Sequence, residues 1–307
     1  MPLDWSSYDA YFNTPRQQAP APPGVRRGVE SVVAQILQLD SAARSTLWGA
    51  CSPPGVSAQT VVRVPGSVSH RFSRESSGKA LGVKLFKTQR GPGAPKQADV
   101  IHAHLERRTR FPGLPSPHVQ EVYDGGEFGG RFYLIQEWIE GEPLSDVLLR
   151  KEGLSVAEAR GILSDLYRGV LIPLWSKGTI WWDIRDANYC LQPVENGHRL
   201  VMIDTDSLVA YAREIVESPE DFTARDSTRR RAMARVKTIV EKLAWAPFGS
   251  GKLPRSEKSR LERSIADIRS EAEACFLESG RLRGGEEAFE RMLRRLDSEV
   301  WSSPHRT

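Results

Sequence analysis

Residues 181–190 read WWDIRDANYC, with SKGTI before them and LQPV after. Two tryptophans run directly into Asp183, Ile184, Arg185, Asp186, Ala187 and Asn188, and the chain then returns to apolar character. A stretch this apolar is interior, and interior positions hold Asp, Arg and Asn only where something pairs with them. The stretch with its continuation NYCLQ therefore reads as one short strand, and RLVMIDTD, after the turn ENGH, as the next.

Working outward, the preceding segment has helical character. SVAEARGILSDLYRGVLIPLWSKG opens with Ser155 as N-cap and Glu158 three residues on, a capping box, and closes on Gly178. Its predicted apolar face runs through Val156, Ala159, Ile162, Leu163, Leu166, Val170 and Leu171. PLSDVLLRK, just upstream, reads as a short helix. Residues 222–299 read as wholly helical and highly charged. Within them the run STRRRAMARVK is the solvated face of a helix whose apolar side is Ala232, Val236, Ile239, Val240 and Leu243.

The period is different between residues 59 and 140. TVVRVPGSV, SHRFSRE and ALGVKLFK are β-rich runs separated by Pro65-Gly66 and Ser76-Ser77-Gly78. A helical stretch, ADVIHAHLERRTRF, follows. Two more short runs, HVQEVYD and RFYLIQEWI, are split by GGEFGG, so the order is β-β-β-α-β-β. Residues 1–58 form an extension: a Pro-rich stretch, TPRQQAPAPPGVRR, and one helix over 28–48 with an aliphatic stripe suited to packing. Three parts result, 1–58, 59–140 and 141–307.

Composition narrows the function classes. The chain has 307 residues, 39% apolar and 27% charged, enough to bury an ordinary core. No apolar run approaches the roughly 20 residues of a membrane-spanning helix, and the N-terminus lacks the pattern of a signal peptide, so the expected compartment is the cytosol, with no membrane partner. Three cysteines, far apart, do not form a disulfide framework or a Cys-based zinc site. A net charge of +4 suits an anionic ligand without calling for nucleic acid.

The polar residues fall into a pattern on this frame. Lys84 sits inside an apolar strand, where one charge wants a carboxylate partner, and Glu106 lies in the helix that follows. Asp183 and Asn188 share one loop, and Asp204 ends the strand VMID. Two carboxylates and an amide at the edges of apolar strands form an oxygen-rich cluster of the kind that holds Mg²⁺ together with substrate phosphates.

Over roughly residues 59–210 the sequence resembles the eukaryotic-type (Hanks-type) protein kinase superfamily, including its bacterial Ser/Thr kinases. LGVKLFK is similar to the V-A-I-K strand, SPHV at 116–119 to the His-Pro turn, FYLIQEWIEGEPL to the hinge, WWDIRDAN to the catalytic loop H-R-D-x-x-x-x-N, and IDTDS to I-D-F-G. The resemblance implies an α+β, bilobal kinase-like fold, with a small antiparallel β lobe carrying one helix and a larger, mainly helical lobe. It implies ATP and Mg²⁺ as cofactors and a protein substrate. Lys84 would grip the α- and β-phosphates and Glu106 would pair it. Gly66 would belong to the phosphate-covering loop. Gln136 would be the gatekeeper, with Glu137, Trp138 and Ile139 following in the hinge that meets adenine. Asp183 would accept the hydroxyl proton, Arg185 would replace the loop lysine of Ser/Thr kinases, and Asn188 and Asp204 would hold the metal.

The departures point to alternatives. Trp181 and Trp182 replace the His and Arg of the loop, Gly66 stands where the family pattern has three glycines, Asp206 replaces the Gly of D-F-G, and no A-P-E motif follows. I-D-T-D and the missing A-P-E also suit a small-molecule phosphotransferase of the aminoglycoside or choline type. The sparse glycine loop and the lost H-R suit a nucleotide-binding pseudokinase.

Overall fold

The computed structural model describes residues 56–64, 67–74, 80–86, 117–120, 122–128, 131–150, 152–176, 179–181, 183–195, 197–203, 208–210, 227–249, 253–278 and 282–302. They are α+β and divide into two units. One holds the first five strands, with Gln120–Trp138; the other holds Pro117–Val119 and the chain from Ile139 onward.

The first unit is an antiparallel sheet. Its strands are β1 (Val56–Val64), β2 (Ser67–Arg74), β3 (Ala80–Phe86), β4 (Val122–Phe128) and β5 (Arg131–Glu137), in the order β1-β2-β3-β5-β4. Runs rich in Val, Thr, Phe and Tyr favour the pleated backbone, and Val64 pairing with Ser67 closes the first hairpin. β1 begins three residues earlier than the composition suggested. The GGEFGG segment departs further from expectation: Gly125 and Gly126 lie inside β4, paired with Leu134 and Tyr133, and the hairpin closes at Phe128 and Arg131. Glycine weakens a strand without forbidding it, and here continuous pairing with β5 overrides the turn signal. The helix expected from ADVIHAHLERRTRF, the extension at 1–55 and the residues 211–226 lie outside the described residues.

In the second unit, β6 (Glu142–Pro143) leads into α1 (Leu144–Val147). A long helical rod follows: α2 (Val156–Ser164), a π-helical segment Asp165–Leu171, and α3 (Ile172–Trp175). The capping box forms as expected, the Glu158 amide donating to Ser155 Oγ at 3.1 Å and the Ser155 amide to Glu158 Oε2 at 2.8 Å. These bonds from Ser155 hold the Glu158 carboxyl below its usual range. The predicted apolar face is buried from Ala159 through Leu171, while Val156 is only partly buried against the core.

The π segment was not expected. It brings Gly169 beneath the His118 ring, where an added Cβ would lie 2.5 Å from the ring carbon Cγ. Asp165, in the same segment, accepts the Leu200 amide at 2.8 Å. One irregular turn thus seats both the 117–119 turn and a strand against the rod.

Two small sheets complete the unit's β structure: β7 (Thr179–Trp181) with β10 (Leu208–Ala210), and β6 with β8 (Tyr189–Val194) and β9 (Gly197–Met202), ordered β6-β8-β9. Gly141 turns the chain into β6 with φ +155°, and an added Cβ would stand 2.2 Å from the Leu191 carbonyl oxygen. Only glycine fits there.

The C-terminal part is α4 (Ser227–Trp245), α5 (Arg255–Glu278) and α6 (Leu282–Arg295), followed by a π turn, Leu296–Val300. Ala232, Val236, Ile239, Val240 and Leu243 of α4 are at most 2% exposed, the face expected from sequence. They join one core with α2, α3, α5 and α6. Within it Trp175 meets Phe276 edge-on at 4.2 Å and Tyr167 stacks on Phe289 at 4.9 Å. Each such buried aromatic contributes roughly 1.5–3 kcal/mol by removing apolar surface from water. Trp301 closes the end of the chain, its indole donating to the Ala244 carbonyl at 3.2 Å.

Candidate active site

The loop between β7 and β8 gathers two buried polar side chains and two ion pairs. Asp183 and Asn188 are each 8% exposed, and Ile184 between them is fully buried, which anchors the loop to the core. The chain then makes a 3₁₀ turn, Asp186–Asn188, closed by the Asn188 amide donating to the Arg185 carbonyl at 2.9 Å. This turn folds Asn188 back towards Asp183. Asn188 Nδ2 donates to the Asp183 main-chain oxygen at 2.9 Å and to Asp183 Oδ2 at 3.1 Å. Only the nitrogen of the amide can donate twice, so its orientation is fixed by its partners.

Arg185 points its guanidinium at the same Asp183 Oδ2, forming an ion pair whose arginine side is half exposed. The buried carboxylate is thus paired by its neighbour two residues on and by the amide five residues on. Burial of Asp183 is sustained by these bonds.

The strand after the loop is held just as closely. Ile203 donates to the Asn188 carbonyl at 3.0 Å, and Met202 donates to the His118 carbonyl at 2.8 Å. Val119 bridges Met202 in parallel, and the His118 ring Nδ1 lies 3.0 Å from the Leu200 carbonyl oxygen. The end of β9 is therefore fixed from both sides, immediately before position 204. Asp204 itself lies outside the described residues, as do Glu106, Gly66 and Trp182.

Lys84 and Gln136 belong to the first unit. Lys84 is 9% exposed in β3, opposite Leu134, and Gln136 is 7% exposed in β5, opposite Gly82. Gly82, unremarked in the sequence, has a role here: an added Cβ would meet Gln136 Cγ at 3.2 Å and the Trp138 ring at 3.3 Å. Gln120 fixes the end of β5 by donating to the Glu137 carbonyl at 2.7 Å. Glu137 and Trp138 are half-buried. Ile139, where the chain re-enters the second unit, is buried with Cys190 and Val201. Burial, reinforced by Glu140 and Glu142, pushes the Cys190 thiol up to about 11.

Two further residues bear on the loop. Asp186 pairs with Lys242 of α4. The sequence DIRDAN shows the second Asp, but nothing in it signals a lysine 56 positions away.

The oxygen chemistry suits a hard cation in part. Both amide hydrogens of Asn188 are taken by Asp183, so Oδ1 is the atom left to meet a metal, and an oxygen donor set suits Mg²⁺. Among the described residues, no three His, Cys, Asp or Glu side chains gather as a self-sufficient metal site. Magnesium bound with substrate phosphates does not require one. Among the described residues, no helix is long and apolar enough to cross a membrane.

These features sit in a chain that is similar to bacterial serine/threonine-protein kinases. A probable serine/threonine-protein kinase, pknA2, of Bifidobacterium longum is 25% identical over 124 residues, which are 40% of this chain and 16% of that protein. The serine/threonine-protein kinases PknJ of Mycobacterium bovis and Mycobacterium tuberculosis are 26% identical over 151 residues, 45% of this chain and 25% of each relative. The alignments therefore span a quarter or less of these relatives' length. No family model matches the chain.

Proposed function

We propose that the chain is an ATP-dependent phosphotransferase that transfers the γ-phosphate to a serine or threonine hydroxyl of a protein. The observation that carries this reading is the loop in which one buried carboxylate, Asp183, is held by Asn188 and Arg185. Its likeness to bacterial serine/threonine-protein kinases supports the reading at the level of the reaction.

Asp183 is the base: it orients the acceptor hydroxyl and takes its proton as the oxygen attacks phosphorus. Arg185 sets the rotamer of that carboxylate and keeps a cation near the transferring phosphoryl. Asn188 would offer its amide oxygen to Mg²⁺, with Asp204 as the second metal ligand. Bound there with the triphosphate, Mg²⁺ would neutralise charge on the β- and γ-phosphate oxygens. Lys84, paired by Glu106, grips the α- and β-phosphates, and Gly66 belongs to the turn that covers them. Gln136, Glu137, Trp138 and Ile139 form the adenine side. Phosphoryl transfer needs positioning and charge more than covalent help, which fits a loop whose Asp183, Arg185, Asp186 and Asn188 side chains are all held by partners. In this reading residues 59–140 are the nucleotide lobe and 141–307 the acceptor lobe.

A second reading, transfer to a small alcohol or amine, is favoured by I-D-T-D and by the missing A-P-E sequence. The two are separated by incubating the protein with Mg²⁺ and γ-labelled ATP, with a generic protein substrate or with aminoglycosides and choline. Label on protein, abolished in Asp183→Ala and Asp204→Ala, is the expected result. Transfer to the small acceptors alone would move the assignment to the second class. Nucleotide binding without turnover would leave only a pseudokinase.

A further inference from the structure

The catalytic loop contains two carboxylates three residues apart and one arginine between them. Asp183 and Asp186 flank Arg185 in sequence, so both acids neighbour the residue that carries the guanidinium. In the structure the cations are divided: Arg185 bonds Asp183, and Lys242 bonds Asp186. Lys242 comes from α4, whose Ile239, Val240, Leu243 and Ala244 are buried in the core, so it approaches from a fixed support. The pair lines a cavity of about 670 Å³ together with Thr238 and Glu241. Glu241 does not draw Lys242 away, because it is engaged by Arg269 at 3.3 Å. Asp186 also accepts the Ala187 amide through Oδ1 at 3.1 Å, while Lys242 takes Oδ2.

We propose that Lys242 is a positioning residue: by occupying Asp186 it reserves Arg185 for Asp183. The proposal rests on the reading of Asp183 as the base. Without Lys242, Asp186 becomes an unneutralised carboxylate beside Arg185, and the guanidinium divides between two acids. Asp183 then loses the ion pair that fixes its rotamer. The residues assigned to the α- and β-phosphates and to adenine are untouched, so the effect falls on the rate rather than on ATP binding.

The test is a set of four variants, Lys242→Met, Lys242→Arg, Asp186→Asn and Asp186→Asn/Lys242→Met, compared with wild type for kcat and for the KM of ATP at saturating Mg²⁺. Lys242→Met is expected to lower kcat about tenfold with the KM of ATP changed less than about twofold, as befits a misplaced catalytic group. Lys242→Arg should keep most of the rate. The double variant should recover to within about threefold of wild type, since removing the competing carboxylate makes the lysine dispensable, a coupling only contacting residues show. An unchanged kcat in Lys242→Met overturns the proposal, and so does a double variant as slow as Lys242→Met. A purely structural role for Lys242 predicts that second result. A crystal structure of Lys242→Met decides independently of activity. Arg185 turned onto Asp186 is expected, and Arg185 still bonded to Asp183 and not to Asp186 contradicts the proposal even in a chain that transfers no phosphate. Failure of the underlying reading looks different, as transfer that Asp183→Ala does not reduce.

Discussion

Asn188 gives both of its amide hydrogens to Asp183, one to the main-chain oxygen at 2.9 Å and one to Oδ2 at 3.1 Å. Five residues of chain are thereby closed into a loop in which the position of the amide dictates the position of the carboxylate. The amide oxygen takes no part in that contact, so one side chain can hold the carboxylate and still offer an oxygen to a cation.

Asn188→Leu should therefore fail twice. It leaves the buried Asp183 carboxylate short of a donor, which destabilises the fold by about 1–3 kcal/mol. It also removes the oxygen proposed for Mg²⁺. Denaturant unfolding should show the first effect without any ligand. Turnover measured against Mg²⁺ concentration should show the second, as a loss that added metal does not repair. A variant as stable as wild type would mean that Asp183 does not depend on this amide.

Gly169 and His118 form a second dependence, this time between the π segment and the turn ahead of β4. A Cβ at position 169 would lie 2.5–2.8 Å from three ring atoms of His118. Gly169→Ala should lower stability by about 1–3 kcal/mol, the usual cost of overpacking a close contact. His118→Ala in the same chain should recover part of the loss, although the ring's contact with the Leu200 carbonyl goes with it. Equal melting points for wild type and Gly169→Ala would refute this packing.

Cys190 supplies a pH dependence with a definite sign. Its thiol titrates at about 11 in the folded chain, against an ordinary value of 9.0, chiefly because burial disfavours the thiolate. The preference for the neutral thiol is fully present below pH 9. Between 9.0 and about 11 the unfolded chain has released this proton and the folded chain has not. Stability contributed by Cys190 thus falls as pH rises through that window, by on the order of 2 kcal/mol. Urea unfolding of wild type and Cys190→Ala at pH 8, 9, 10 and 11 isolates the contribution from the Tyr and Lys residues that also titrate there. The stability gap between the two should narrow as the pH rises, and a constant gap contradicts the assignment.

Much of this architecture was legible in the residues themselves. Ser155 and Glu158 announced the start of α2, and both sides of the capping box form. The aliphatic positions of α4 read correctly because burial on one face of a helix repeats with a period the sequence keeps. Asp183, Arg185 and Asn188 stood out because charge within an apolar run needs partners, and they proved to be one another's partners. What escaped has a common physical cause: it depends on contacts distant in sequence. The π turn exists where Gly169 meets His118 and Asp165 meets Leu200, and no local propensity records either meeting. Gly125 and Gly126 looked like a turn because glycine permits turns, yet pairing with β5 decided otherwise. Lys242 was invisible for the same reason, one of two lysines on a charged helix. Gly66, Glu106 and Asp204, singled out in the sequence, lie outside the described residues.

The central claim is that Asp183 is the base of a magnesium-dependent phosphoryl transfer, and single-turnover transfer from γ-labelled ATP, measured beside equilibrium binding of MgATP, tests it most directly. Asp183→Ala should bind MgATP within about threefold of wild type while its transfer rate falls by about 10²–10⁴-fold, the range for loss of a positioned proton acceptor. Transfer at the wild-type rate in Asp183→Ala would contradict the account.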